Sequence, residues 1–256
     1  MRSTAPARRA ARAASLPDAT LGAMPIAYLL AGAGPATSRR SVRYHRACVA
    51  ATGKPRPTIA YVGAAADDDR RFAAMIRAMV FGPGARIVPV ELTRRAVRTS
   101  ALRGRLATAD LVFFTGGDVE RGMALIDDRA LGPYLRELAG AGKPMEGISA
   151  GAILLGRHWV RFPERRAPAA FPCLGIVPAS FDTHGEADGW SELRELARRV
   201  RGEPVVFGIP SHGAAVWDGE ILRSLGRPLA RFRGGARARR LVDADAARLT
   251  RGGHPS

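Results

Sequence analysis

The chain has 256 residues, 46% of them hydrophobic and 25% charged, with 29 Gly and 18 Pro. That length builds one large domain or two small ones, and the composition excludes a disordered chain, a collagen-like repeat and a disulfide-stapled mini-protein. The formal net charge is +17, and 38 of the 40 basic residues are arginines, Lys54 and Lys143 being the exceptions.

Residues 1–23 form an Arg/Ala-rich stretch without the apolar core of a secretion signal, and they are expected to be a disordered tail. From residue 24, short apolar runs alternate with helical patterns. Pro25–Gly32 (PIAYLLAG) and Thr58–Gly63 (TIAYVG) predict strands. Asp68–Phe81 has helical spacing, with Phe72, Met75, Ile76 and Met79 on one stripe. Arg86–Leu92 and Leu111–Thr115 predict strands, Leu131–Ala141 a helix, Pro144–Ile148 a strand and Ala150–Gly156 a helix. Val205–Ile209 and Ala214–Trp217 predict later strands. Residues 234–256 are expected to be a tail or peripheral helix, with an amphipathic run over Ala238–Leu249. One domain over residues 24–233 remains. Apolar strands separated by helices imply a mostly parallel sheet covered on both faces, with ligands beyond the carboxyl ends of its strands.

No run of 18 apolar residues predicts a membrane span. Cys48 and Cys173 read as reduced thiols, which points to a cytoplasmic location. The basic excess is local: residues 1–20, Thr93–Arg105 and Arg227–Arg240 carry 14 of the 17 net charges. Such segments bind phosphates without sequence information, and no specific nucleic-acid motif accompanies them, so no specific nucleic-acid partner is expected.

Gly147-Ile148-Ser149-Ala150-Gly151 lies between a predicted strand and a helix of small residues. A tight strand–turn–helix needs small residues two before and two after its central serine, and it exposes that hydroxyl. The Ala150 amide would face a developing oxyanion at the helix N-terminus. The competing reading is a serine that only caps a helix. Phe113–Asp118 ends a strand in Gly116-Gly117, whose bare amides suit a close ligand, with Asp118 as a helix cap. His184 and His212 each follow a predicted strand. His45, His158 and His254 read as surface residues. Glu146 is a carboxylate in a strand that should be buried, either ion-paired or part of a site.

Gly116-Gly117-Asp118, Gly147–Ala152, Asp182-Thr183-His184 and Gly208-Ile209-Pro210, in that order, resemble the dipeptidase E and cyanophycinase family of serine peptidases. That family is a branch of the class I glutamine amidotransferase-like superfamily, and the likeness spans roughly Met24 to Phe232. It implies a flavodoxin-like, three-layer α/β/α domain. It also implies Ser149 as nucleophile, His184 as base and the Gly117 and Ala150 amides as oxyanion hole. Dipeptidase-type members carry Glu shortly after the Gly-Ile-Pro run, where this chain has Ser211-His212. Asp182 and Glu186, which flank His184, are the candidate replacements, and Glu186 has the longer reach. Gly185 stands where the family usually has an aromatic residue.

A serine hydrolase acting on short or acidic peptides is the expectation, with arginines walling the site and neither cofactor nor metal required. A catalytically degraded domain that binds a small ligand or partner is the alternative. Either a monomer or a homodimer fits.

Overall fold

The computed structural model describes residues 27–31, 39–81, 84–164, 167–200, 202–203, 205–235 and 238–249. The expected tail over residues 1–23 lies outside them. In chain order the elements are β1 (Ala27–Leu30), α1 (Arg39–Ala50), β2 (Thr58–Val62), α2 (Arg70–Ile76), β3 (Arg86–Pro89), α3 (Thr99–Thr108), β4 (Leu111–Phe114) and α4 (Val119–Asp128). There follow α5 (Gly132–Gly140), β5 (Met145–Ile148), α6 (Ala150–Leu155), β6 (His158–Arg161), β7 (Ala169–Pro172), β8 (Phe181–Thr183), α7 (Ser191–Arg199) and β9 (Val205–Ile209). The chain closes with β10 (Ala214–Trp217), β11 (Ile221–Leu225), β12 (Leu229–Arg233), β13 (Arg239–Ala244) and β14 (Ala246–Arg248).

The main sheet runs β14-β11-β10-β1-β5-β4-β2-β3. Its five strands from β1 to β3 are parallel, and β10, β11 and β14 extend it antiparallel. Strand side chains alternate between two cores, as the pleat demands. Ala27, Leu29, Val112, Phe114 and Met145 join the core under α3 to α6. Tyr28, Leu30, Leu111, Phe113 and Ile148 join the core under α1 and α2. This is the expected layered α/β architecture with a mostly parallel central sheet.

A second sheet, β13-β12-β9-β8, stands beside it, with β8 and β9 parallel. The Val205–Ile209 strand belongs there and not to the main sheet. The Ala238–Leu249 expectation is corrected outright, since this stretch forms β13 and β14. Its half-buried residues Leu241 and Ala244 do stand three apart, which mimics a helix. Yet β12 and β11 offer open edges whose amides and carbonyls need partners, and the strands supply them.

The stripe over Asp68–Phe81 also shifts. Ile76 is buried, but Met75 is 40% exposed. After α2 the chain winds into a π-helical turn over Arg77–Phe81, which rotates Val80 and Phe81 into the core instead. Cys48 and Cys173 are buried, unpaired and in separate cores. Among the described residues, no helix is long and apolar enough to cross a membrane.

Candidate active site

β5 lies between β1 and β4 in the parallel part of the sheet, and its carboxyl end delivers the chain into α6 with no intervening residue but Ser149. Ser149 has φ 54° and ψ −120°, a conformation that costs about 1–3 kcal/mol in a non-glycine residue. Its amide bonds to the Leu30 carbonyl at 2.8 Å, which pins the turn to β1. The neighbours must be glycine for lack of space. A Cβ on Gly147 would sit 2.3 Å from the Gly151 carbonyl oxygen, and one on Gly151 would sit 2.1 Å from the Phe114 oxygen. The Ser149 side chain makes no capping bond to α6. Its Oγ instead lies 2.9 Å from His184 Nε2. The helix-cap reading of this serine is thereby set aside.

His184 arrives from the second sheet. The Leu174 and Val177 amides bond to the Leu154 and Leu155 carbonyls of α6, and the Arg157 amide bonds to Ala179 at 2.9 Å. That seam ties the approach to β8 onto α6 itself. β8 then runs beside β9, and the His184 amide bonds to the Ile209 carbonyl at 3.0 Å. The next residues explain the glycine at 185. Trp190 is buried and turns back over the loop, and a Cβ on Gly185 or Gly208 would meet its indole at 2.8 or 2.4 Å.

Gly117 closes the site from β4. It has φ 142°, and a Cβ there would lie 1.9 Å from the Ala65 oxygen. Beside it, Gly116 approaches Ser149, with 3.2 Å from its virtual Cβ to the serine Cβ. Asp118 caps α4 by accepting from the Arg121 amide at 2.8 Å. Ala150 is the first residue of α6, so its amide has no carbonyl to reach within the helix.

These groups open on a cavity of about 530 Å³. Ser149, Ala150, Gly117, Asp118, Asp182 and His184 all line it, together with Ile153, Trp159 and Phe162. Asp182 is 5% exposed, and its Oδ1 accepts from the Thr183 amide at 2.7 Å. Burial, then the nearby charges of Glu192 and Asp188, push its carboxyl up to about 7.

Glu186, Glu146, Ser211 and His212 do not line the cavity. Glu186 accepts from the Ser211 amide at 2.7 Å, the Ser211 hydroxyl at 3.0 Å and the Arg227 guanidinium at 3.1 Å. Ser211, at the place where the resemblance leads one to expect a carboxylate, thus binds the Glu186 carboxylate through its amide and hydroxyl. Among the described residues, no carboxylate hydrogen-bonds to the other ring nitrogen of His184. Glu146 is fully buried on the opposite face of the sheet, where it pairs with His45 Nδ1. His45 is therefore a core residue and not a surface one. His158 is half-buried, with its Nδ1 2.6 Å from Glu203 Oε1.

Glu120, Arg161, Asp188 and Glu192 also line the cavity, and no motif in the sequence singles them out. They come from α4, β6, the turn before α7 and the first turn of α7, and nothing in their local pattern marks them. Arg161 is the one arginine of the lining among the described residues, and its Nε is 2.8 Å from Glu120. Arg165 and Arg166 lie outside the described residues.

A sequence profile described as Peptidase family S51 matches residues 28–224. The chain belongs to that family. Two solved structures share its fold. One is a peptidase from an acI-B1 actinobacterium, with TM-score 0.67 and 17% identity over 87% of this chain and 96% of that one. The other is a putative peptidase E protein from Listeria monocytogenes EGD-e, with TM-score 0.58 and 13% identity over 78% of this chain and 96% of that one. No curated protein sequence matches the chain.

Proposed function

We propose that this protein is a serine peptidase that hydrolyses short peptides through a Ser149–His184 dyad. The carrying observation is the 2.9 Å contact between Ser149 Oγ and His184 Nε2 at a strained strand–helix turn. Neutral His184 accepts the hydroxyl proton as Oγ attacks the peptide carbonyl. The oxyanion forms beside the Gly117 and Ala150 amides, which need not reorganise to receive it. The His184 imidazolium then protonates the leaving amine, and water, deprotonated by the same ring, releases the acyl group from Ser149. Without a carboxylate on the second ring nitrogen, the imidazolium loses one stabilising partner, and turnover is expected to be slow.

That same feature favours a second reading, a domain that binds a ligand without cleaving it. Incubation with a panel of short peptides, followed by mass spectrometry, separates the two. Products that require both Ser149 and His184 support the peptidase, and products unchanged in Ser149→Ala and His184→Ala refute it.

A further inference from the structure

A second cavity, of about 320 Å³, shares no lining residue with the one at Ser149. Val205 and Phe207 stand two apart on β9, and Arg231 of β12 lies opposite Phe207, so the three share one face of the second sheet and line the cavity together. Ala247 and Leu249 add to its apolar lining, and Arg157, Arg231 and Arg248 bring three positive charges against the single carboxylate of Glu203. The arginine wall expected at Ser149 thus stands here instead. Arg248 pairs with Glu220, but the side chains of Arg157 and Arg231 make no hydrogen bond or ion pair with any described residue. Arg231 Nε is buried and finds no acceptor there. A guanidinium stays charged, so a buried N–H without an acceptor carries its full desolvation cost. Glu203 presents the opposite need. It is 5% exposed, and its Oε1 accepts from the Ser180 hydroxyl at 2.8 Å and lies 2.6 Å from His158 Nδ1, which fixes the carboxylate. Its Oε2 is buried and without a donor among the described residues, and no ion pair joins it to Arg231. One cavity therefore holds a buried donor lacking an acceptor and a buried acceptor lacking a donor.

We propose that this cavity binds a small carboxylic acid with a hydrogen-bond donor beside its carboxylate and an apolar side chain, that is, an apolar α-amino or α-hydroxy acid. The carboxylate settles on Arg157 and Arg231, the ammonium or hydroxyl donates to Glu203 Oε2, and the side chain covers Val205, Phe207 and Leu249. A plain anion leaves Glu203 Oε2 unmet and sets a second negative charge near it. A plain amine leaves Arg231 unmet. The volume lies at the small end of the range for ligand pockets, about 300–1,000 Å³, which suits one such acid. The site stands whether or not Ser149 cleaves peptides.

The test is calorimetry on the full chain with four probes: phenylalanine, 3-phenyllactate, 3-phenylpropanoate and phenethylamine. Sodium chloride at about 150 mM, where screening sets in over about 8 Å, damps non-specific attraction to the basic surface. Phenylalanine or 3-phenyllactate is expected to bind, and the tighter of the two identifies the donor as ammonium or hydroxyl. Phenethylamine, which lacks the carboxylate, is expected to bind about 10- to 100-fold more weakly, the range for a hydrogen bond to a charged group. 3-Phenylpropanoate, which lacks the donor, is expected to lose about 10-fold, because it leaves Glu203 Oε2 unpaired. Arg157→Met and Arg231→Met should each weaken binding at least about 10-fold, and Glu203→Gln should erase the preference over 3-phenylpropanoate. Melting curves of the unliganded variants report folding, and Arg231→Lys, which keeps the charge but loses the Nε–H, carries the test if Arg231→Met does not fold. Arg161→Met removes the arginine of the Ser149 cavity and is expected to bind as the wild type does. Binding lost in Arg161→Met but intact in Arg157→Met and Arg231→Met would place the ligand at Ser149 and overturn the proposal. So would the absence of binding by all four probes, or 3-phenylpropanoate binding as tightly as both donor-bearing acids.

Discussion

Asp182 carries the largest electrostatic conflict at the site. The folded protein holds its proton up to a pH of about 7, whereas the ordinary value is 3.8. Between those values the native state binds the extra proton, so stability falls as pH rises, at up to about 1.4 kcal/mol per pH unit. Asp182→Asn is therefore expected to raise the melting temperature relative to wild type more at pH 8 than at pH 5. An equal difference at both pH values would refute this assignment. Glu186 behaves otherwise, because its oxygens serve Ser211 and Arg227. Glu186→Gln is expected to change acylation by an active ester by no more than a few-fold, against the ~10⁴ loss typical of removing a triad carboxylate. A hundredfold loss would place Glu186 on the histidine after all. Gly117→Ala drives a methyl group into the Ala65 carbonyl, so acylation should drop by at least ~10² as the amide is displaced. Acylation at the wild-type rate would remove Gly117 from the oxyanion site. Little of this was readable in sequence. Ser149 and Gly117 declare themselves through glycine spacing, which is local. Glu192 and the His45–Glu146 pair do not, because their meaning lies in partners brought close only by the fold, 101 residues away for His45.

At the scale of elements, the parallel strands were legible because strands buried on both faces are continuous apolar runs. AYLL, TIAYV and LVFF allow little else. Of the second sheet only β9, the apolar run Val205–Ile209, was legible. β8 is three residues long, β6 and β7 form a separate hairpin, and β13 is mostly exposed, with Val242 86% accessible. Periodicity has little to work on in such strands, and pairing to an existing edge decides their structure. Removing residues 236–256 is thus expected to cost several degrees of melting temperature, since it uncovers β11 and β12 together. A melting temperature within about a degree of the full chain would mark the segment as the dispensable tail suggested by its sequence. The seam between α6 and Cys173–Ala179 explains how a histidine on one sheet meets a serine on another. Both are referred to the same short helix.

Over the whole molecule, the charges are segregated. A net charge of +17 repels itself at low salt, so the melting temperature should rise as sodium chloride is taken from about 10 mM to about 500 mM, with screening over roughly a Debye length. A flat or falling curve would mean that the surface ion pairs outweigh the repulsion. Within that basic envelope the Ser149 cavity is acidic, a contrast that the summed composition conceals. The central claim is that Ser149 Oγ is a nucleophile activated by His184. Its most direct test is the intact mass of the protein after exposure to a fluorophosphonate, followed by peptide mapping. The account predicts a single adduct on the peptide containing Ser149, absent in Ser149→Ala and slowed at least ~10²-fold in His184→Ala. No adduct at any pH between about 6 and 9, the range in which a neutral histidine can act as base, or an adduct that persists in Ser149→Ala, would contradict it.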